Sequence, residues 1–213
     1  MLDLSAIIKS GEDSGSIADF VALGYQYDDR YSHAAFIIQY EGDLIEFHYD
    51  GFGVVYSALL DTYFQKITQT IHPDEVPAFI VYCKRIKEKA KPIYGYFYSG
   101  EFYDSEGNYL MNKDLGERMT CVGFCLNVLK GFLEEDYIDY TDWGNETHTE
   151  PDYLQSYCKR HQLDMSKVKA SHRRVTPLEY LTSGLFSDLP IRKFQIDSRK
   201  DDVKEYVLNQ LGV

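Results

Sequence analysis

Apolar and polar positions change period several times along this chain, and each change marks an element. Residues 1–31 show only weak periodicity. The first clear alternation is HAAFIIQY (33–40), then Glu41-Gly42, then DLIEFHYD (43–50), which reads as a β-hairpin around a short glycine turn. A third strand is expected in GVVYSALL (53–60). After His72-Pro73 the period becomes helical: Val76, Phe79, Ile80, Cys83, Ile86 and Ala90 recur every three or four residues. This predicts an amphipathic helix over about 75–90, with Asp74 as its cap and Pro77 confined to the first turn. Its outer face carries Lys84, Arg85, Lys87, Lys89 and Lys91, as expected for a solvated face with cations near the C-terminus.

Residues 94–109 hold seven aromatics in sixteen positions, and the SEGN turn within them predicts a second hairpin. DSEGN does not match a calcium loop, because its glycine comes too early and the bidentate Glu is missing. Then MTCVGFCLNVLKGFL (119–133) turns apolar almost all round: nine of the thirteen residues from Cys121 to Leu133 are hydrophobic, the pattern of a helix buried on most sides. Thr120 stands where an N-cap is needed. Beyond it, a helix from about Pro151, a shorter one after Thr176-Pro177, a strand near 189–196 and a polar terminal helix are expected. No repeat or linker divides the chain, so residues 1–213 form one predicted α+β domain, an antiparallel sheet packed on a central helix.

Composition narrows the function. The 22 Lys and Arg against 34 Asp and Glu leave a formal charge of −12, which disfavours nucleic acid and an anionic membrane surface as partners. No segment has the roughly 18–20 uninterrupted apolar residues of a bilayer span, and the N-terminus lacks a signal-peptide pattern, so no integral membrane association and a cytoplasmic location are expected. Four irregularly spaced cysteines (Cys83, Cys121, Cys125, Cys158) do not form a disulfide framework.

One of them has a chemical address. Cys121 opens the buried helix, where unpaired N–H groups and the helix dipole lower a thiol's pKa; Cys125, Cys83 and Cys158 read as packing residues. A thiol nucleophile needs an imidazole and a third polar group to orient it. Strand alternation puts His33 on one face and, across a two-residue turn, Glu46 and His48 on that same face. A flat register would bring His48 nearer to His33. His72, His148, His161 and His172 fall in polar or tail segments. Tyr94, Tyr96 and Tyr98 are candidate cleft walls. A zinc module of Cys121, Cys125, Cys158 and His161 is arithmetically possible, but it would bury thiolates in an apolar helix. No metal or other cofactor is expected.

The pattern TCVGFC resembles the nucleophile motif of NlpC-like papain-fold amidases, with Cys121, Gly123 and Phe124 in the matching places. SHAAFII followed by LIEFHYDGFGV resembles that superfamily's histidine strand and the next one: His33 matches the histidine and Glu46 the orienting position, with His48 as the alternative orienter. Because the histidine precedes the cysteine, the order is similar to the circularly permuted branch, which includes YaeF/YiiX-type proteins, with a glutamate as third residue, and lecithin:retinol acyltransferase-like enzymes, with a histidine there. VTPLEYLTSGLF is weakly similar to a segment that follows the cysteine helix in the former. The resemblance covers about 32–60 and 119–134, more weakly 175–187. Thr120 and Val122 depart from the usual Asp and Ser. It implies a permuted papain-like (NlpC-like) fold and a thiol hydrolase that cleaves an amide of a small peptide-like or acylated substrate through Cys121, His33 and Glu46, with His48, Tyr94 and Tyr96 beside them. The alternatives are a lipid-ester hydrolase or acyltransferase, and an inactive papain-like binding module.

Overall fold

The computed structural model describes residues 4–12, 18–27, 31–95, 101–110, 116–143, 151–171 and 173–212. A six-stranded antiparallel sheet dominates it, built from β1 (Ile7–Lys9), β2 (Phe20–Tyr27), β3 (Ser32–Tyr40), β4 (Asp43–Tyr49), β5 (Val54–Ala58) and β6 (Phe64–Ile67) in the order β1-β6-β2-β3-β4-β5. The predicted hairpin is β3–β4, closed at Tyr40↔Asp43 around Glu41 (φ 51°) and Gly42 (φ 88°), the two left-handed residues a type I′ turn needs. The weakly patterned N-terminal stretch contributes β1 and β2. Six of the eight β2 residues are buried, so both faces of the strand are apolar and alternation cannot reveal it.

Side chains divide across the sheet by parity. Val21, Leu23, Ala34, Phe36, Ile38, Phe47 and Tyr49 face the main core; Phe20, Ala22, Ala35 and Ile37 face a second cluster with Tyr63. The helix α1 (Val76–Lys89) packs Phe79 edge-on against Phe36, with ring centroids 5.2 Å apart. Asp74 is not its cap. A 3-10 turn over Pro73–Glu75 precedes it, in which the His72 ring accepts from Asp74 N–H and Glu75 accepts from His72 N–H. The basic residues of α1 have local partners: Arg85 donates to the Ser105 carbonyl, Lys87 to that of Val54, and Lys84 lies over the Tyr56 ring.

Short strands follow: β7 (Ile93–Tyr94), β8 (Phe102–Tyr103), β9 (Tyr109–Leu110) and β10 (Arg118–Met119). β8 and β9 form the predicted second hairpin, whose turn is held by Asp104 accepting from the N–H groups of Glu106 and Asn108. β7 runs parallel to β10, which leads directly into the central helix α2 (Cys121–Phe132). Thr120 caps α2 by accepting from Gly123 N–H at 3.1 Å. Phe124 of α2 fits edge-on against Phe47 of β4, centroids 5.2 Å apart, so the helix lies across the core face of the sheet. At its far end Gly131 is required: a Cβ there would fall on the Tyr103 carbonyl and the Tyr82 hydroxyl.

The remaining elements are β11 (Ile138–Asp139), α3 (Pro151–His161), α4 (Met165–Ser171), α5 (Pro177–Ser183), β12 (Ile191–Arg192) and α6 (Lys193–Leu211). The strand expected over 189–196 is only two residues long. Gln195 accepts from Arg192 N–H and Asp142 from Lys193 N–H, which starts a helix at Lys193 instead. The α+β class and the antiparallel sheet with its packed central helix are as expected. Among the described residues no helix is long and apolar enough to cross a membrane.

Candidate active site

A cleft of about 260 Å³ opens where the N-terminal ends of α2 and β3 meet the turn after β4. Tyr31, His33, Asp50, Tyr94, Cys121 and Arg174 are among its lining residues. Thus the strand histidine and the helix thiol share one cavity although they are 88 positions apart in sequence (121 − 33). Tyr31 and Tyr94, which line it, are largely exposed. Tyr96 and Tyr98 lie outside the described residues, as do His148 and His172.

The imidazoles are coupled. His33 Nε2 and His48 Nδ1 lie 2.7 Å apart with the rings edge to face. Register explains the contact: Phe36↔Phe47 and Ile37↔Glu46 continue to place His48 opposite Ala35, two residues along the same face from His33. Glu46 is brought to a different partner. Its Oε1 accepts from Ser57 Oγ at 3.2 Å, on the neighbouring strand β5 with which it pairs. Burial holds the Glu46 carboxyl above its usual range against the hydrogen bonds of Ser57, Leu60 and Asp61. The third group beside His33 is therefore an imidazole.

Burial disfavours the charged form of both rings. Burial lowers the His33 pKa, opposed by the charges of Asp50 and Asp61. Burial and the His33 charge push His48 down to about 4, opposed by Asp50. Either nitrogen of this contact can be the donor; with His48 Nδ1 as the acceptor, the His33 proton sits on Nε2 and the His33 Nδ1 lone pair is left as a base. Asp50 stays ionised: its Oδ1 accepts from Phe52 and Gly53 N–H at 2.7 and 2.8 Å, outweighing its burial.

Cys121 is partly buried, and burial raises its pKa despite its place at the helix start. The backbone N–H groups of Ala34, Val122 and Cys121 and the Arg174 charge act the other way. The helix N-terminus alone does not produce a resting thiolate; a base must take the proton as the thiol reacts. Among the described residues the thiol makes no hydrogen bond to His33; it lies at the backbone of Ala34, the next residue. Cys83 and Cys125 are fully enclosed and pushed well above the usual thiol range by burial. Cys158 packs with Leu154, Tyr157 and Val168, a cluster separate from the core that holds Cys125, so the four proposed zinc ligands are divided. Among the described residues no cluster of three or more His, Cys, Asp or Glu is arranged to hold a metal ion.

Asp50 and Arg174 are charged cleft residues that sequence reasoning did not single out. Asp50 continues the alternation of Glu46 and His48 at the strand end, and Arg174 sits in an irregular segment before α5, outside any periodic pattern. No family model, curated protein or solved structure matches the chain.

Proposed function

We propose that the protein is a thiol-dependent hydrolase that cleaves an amide through an acyl-enzyme on Cys121. The observation that carries this reading is that His33, paired with His48 at 2.7 Å, lines the same cleft as Cys121. His33 Nδ1 takes the thiol proton as sulfur attacks the substrate carbonyl, and the resulting imidazolium is favoured by the Asp50 charge and by the acceptor Nδ1 of His48. The carbonyl oxygen gains negative charge beside the first N–H groups of α2, those of Cys121 and Val122. His33 then returns its proton to the leaving amine, the C–N bond breaks, and water, deprotonated by the same imidazole, releases the acid and the thiol. His48 is a positioning residue: it fixes the tautomer and ring plane of His33.

The order of histidine and cysteine supports the permuted papain-like arrangement, and His48 in place of Glu46 favours a second reading. An imidazole as third member is similar to the lecithin:retinol acyltransferase-like side of that branch, whose chemistry is acyl transfer from esters. Matched acyl amides and esters with one acyl group separate the two. Amide turnover that Cys121→Ala abolishes supports the hydrolase; turnover of the ester alone, with transfer to an added amine or alcohol, supports the second. Failure of every substrate to respond to Cys121→Ala contradicts both.

A further inference from the structure

We infer that Arg174 is the specificity-determining residue of the cleft and selects substrates bearing a carboxylate close to the scissile acyl group; this rests on the thiol-hydrolase reading above. Among the described residues that line the cleft, Arg174 is the one with a permanent positive charge. The chain around it carries a net −12, so an acidic substrate is repelled by most of the surface and attracted here.

The backbone that follows the arginine is held in place. Val175, the next residue, is buried in the main core. Thr176 caps α5 in a reciprocal capping box: its hydroxyl oxygen accepts from Glu179 N–H, and the Glu179 carboxylate accepts from Thr176 N–H at 2.8 Å. That buried carboxylate is in turn tied to Lys200 at 3.4 Å. Pro177, at the first helical position, also lines the cleft. With the following residues fixed, the exposed Arg174 lines the cleft from an anchored stretch of backbone. Arg174 and Cys121 line the same cavity, so a substrate carboxylate held by the guanidinium lies in the cleft where the thiol attacks. A guanidinium offers a planar fork of donors matched to a carboxylate, whereas a carboxamide presents only one acceptor oxygen. Asp50 does not duplicate the role, because it carries the opposite charge and its Oδ1 is engaged by its own turn. The favoured substrate is thus an N-acyl amino acid or the acyl end of a peptide with a free or side-chain carboxylate.

The test separates recognition from chemistry. Calorimetric binding of N-acetylphenylalanine and of its amide to the Cys121→Ser protein reads recognition without turnover. The acid should bind about tenfold tighter than the amide, as expected for a charge-assisted contact. Arg174→Gln should erase that preference and Arg174→Lys should keep part of it, with the thermal midpoint of each variant unchanged. Equal affinity for acid and amide, no binding of the acid, or a preference that survives Arg174→Gln overturns the proposal. An Arg174-dependent preference without turnover by the unmodified protein would leave the recognition role intact and contradict the hydrolase reading; Cys121-dependent turnover without a preference for the acid would do the reverse.

Discussion

The coupled histidines make folding stability depend on pH in a way that can be worked out in advance. His48 titrates near 6.5 in an unfolded chain and at about 4 in the fold, where burial and the His33 charge oppose protonation. As pH falls, the unfolded chain takes up the proton first, so the contribution of a neutral His48 is complete above about 6.5 and is lost on the way down to 4. With those two values the loss is about 2 kcal/mol by pH 5 and about 3 kcal/mol below pH 4. Carboxylates also titrate in this range, so the informative quantity is a difference. Asn at position 48 can keep an acceptor oxygen where Nδ1 stood and removes the titration. Urea unfolding at pH 7 and pH 5 should show the unmodified protein losing about 2 kcal/mol more than His48→Asn over that interval. Equal losses would refute the buried neutral His48.

The remaining predictions follow the same residues. Alkylation of Cys121 by iodoacetamide should rise steadily toward alkaline pH, with no plateau near pH 6, because burial outweighs the helix terminus; peptide mapping should find Cys83 and Cys125 unlabelled until the protein unfolds. His48→Ala should lower turnover by about a hundredfold while His48→Asn restores part of it, and Glu46→Gln should change it by no more than a few-fold. The same Glu46→Gln change should hold or slightly raise the urea midpoint at pH 7, since it removes a carboxyl whose charged form burial disfavours and keeps the acceptor for Ser57. Gly131→Ala should destabilise the fold by at least about 1–3 kcal/mol, because the new methyl group meets the Tyr103 carbonyl rather than open space.

Much of the frame around the site is legible in the residues. The hairpin reads clearly because β3 ends in a two-residue turn and because β4 alternates Glu46 and His48 with Phe47 and Tyr49. The buried helix reads clearly because Thr120 precedes a stretch that is apolar on most sides. β2 does not, since a strand covered on both faces has no period to detect. The expected strand at 189–196 fails for the opposite reason: Ile191 and Ile196 look like strand residues, but side-chain caps from Gln195 and Asp142 decide the backbone locally. At the site, the chemistry-bearing residue types were visible and their partners were not. Glu46 and His48 share a face by pattern, and only the register between β3, β4 and β5 assigns one to Ser57 and the other to His33. The helix-terminal position of Cys121 suggested a lowered pKa, and its burial in the folded chain reverses the sign. Arg174 is brought to the cleft by the α5 cap, a tertiary placement with no local signature.

The central claim is that Cys121 attacks with His33 as its base. Brief incubation with an activated acetyl ester, followed by peptide mapping, tests it directly. A single acetyl group on Cys121, formed much more slowly after His33→Ala, is the predicted result. Acetylation spread over lysines with Cys121 unmodified, or an adduct on Cys121 that forms equally fast without His33, would contradict it.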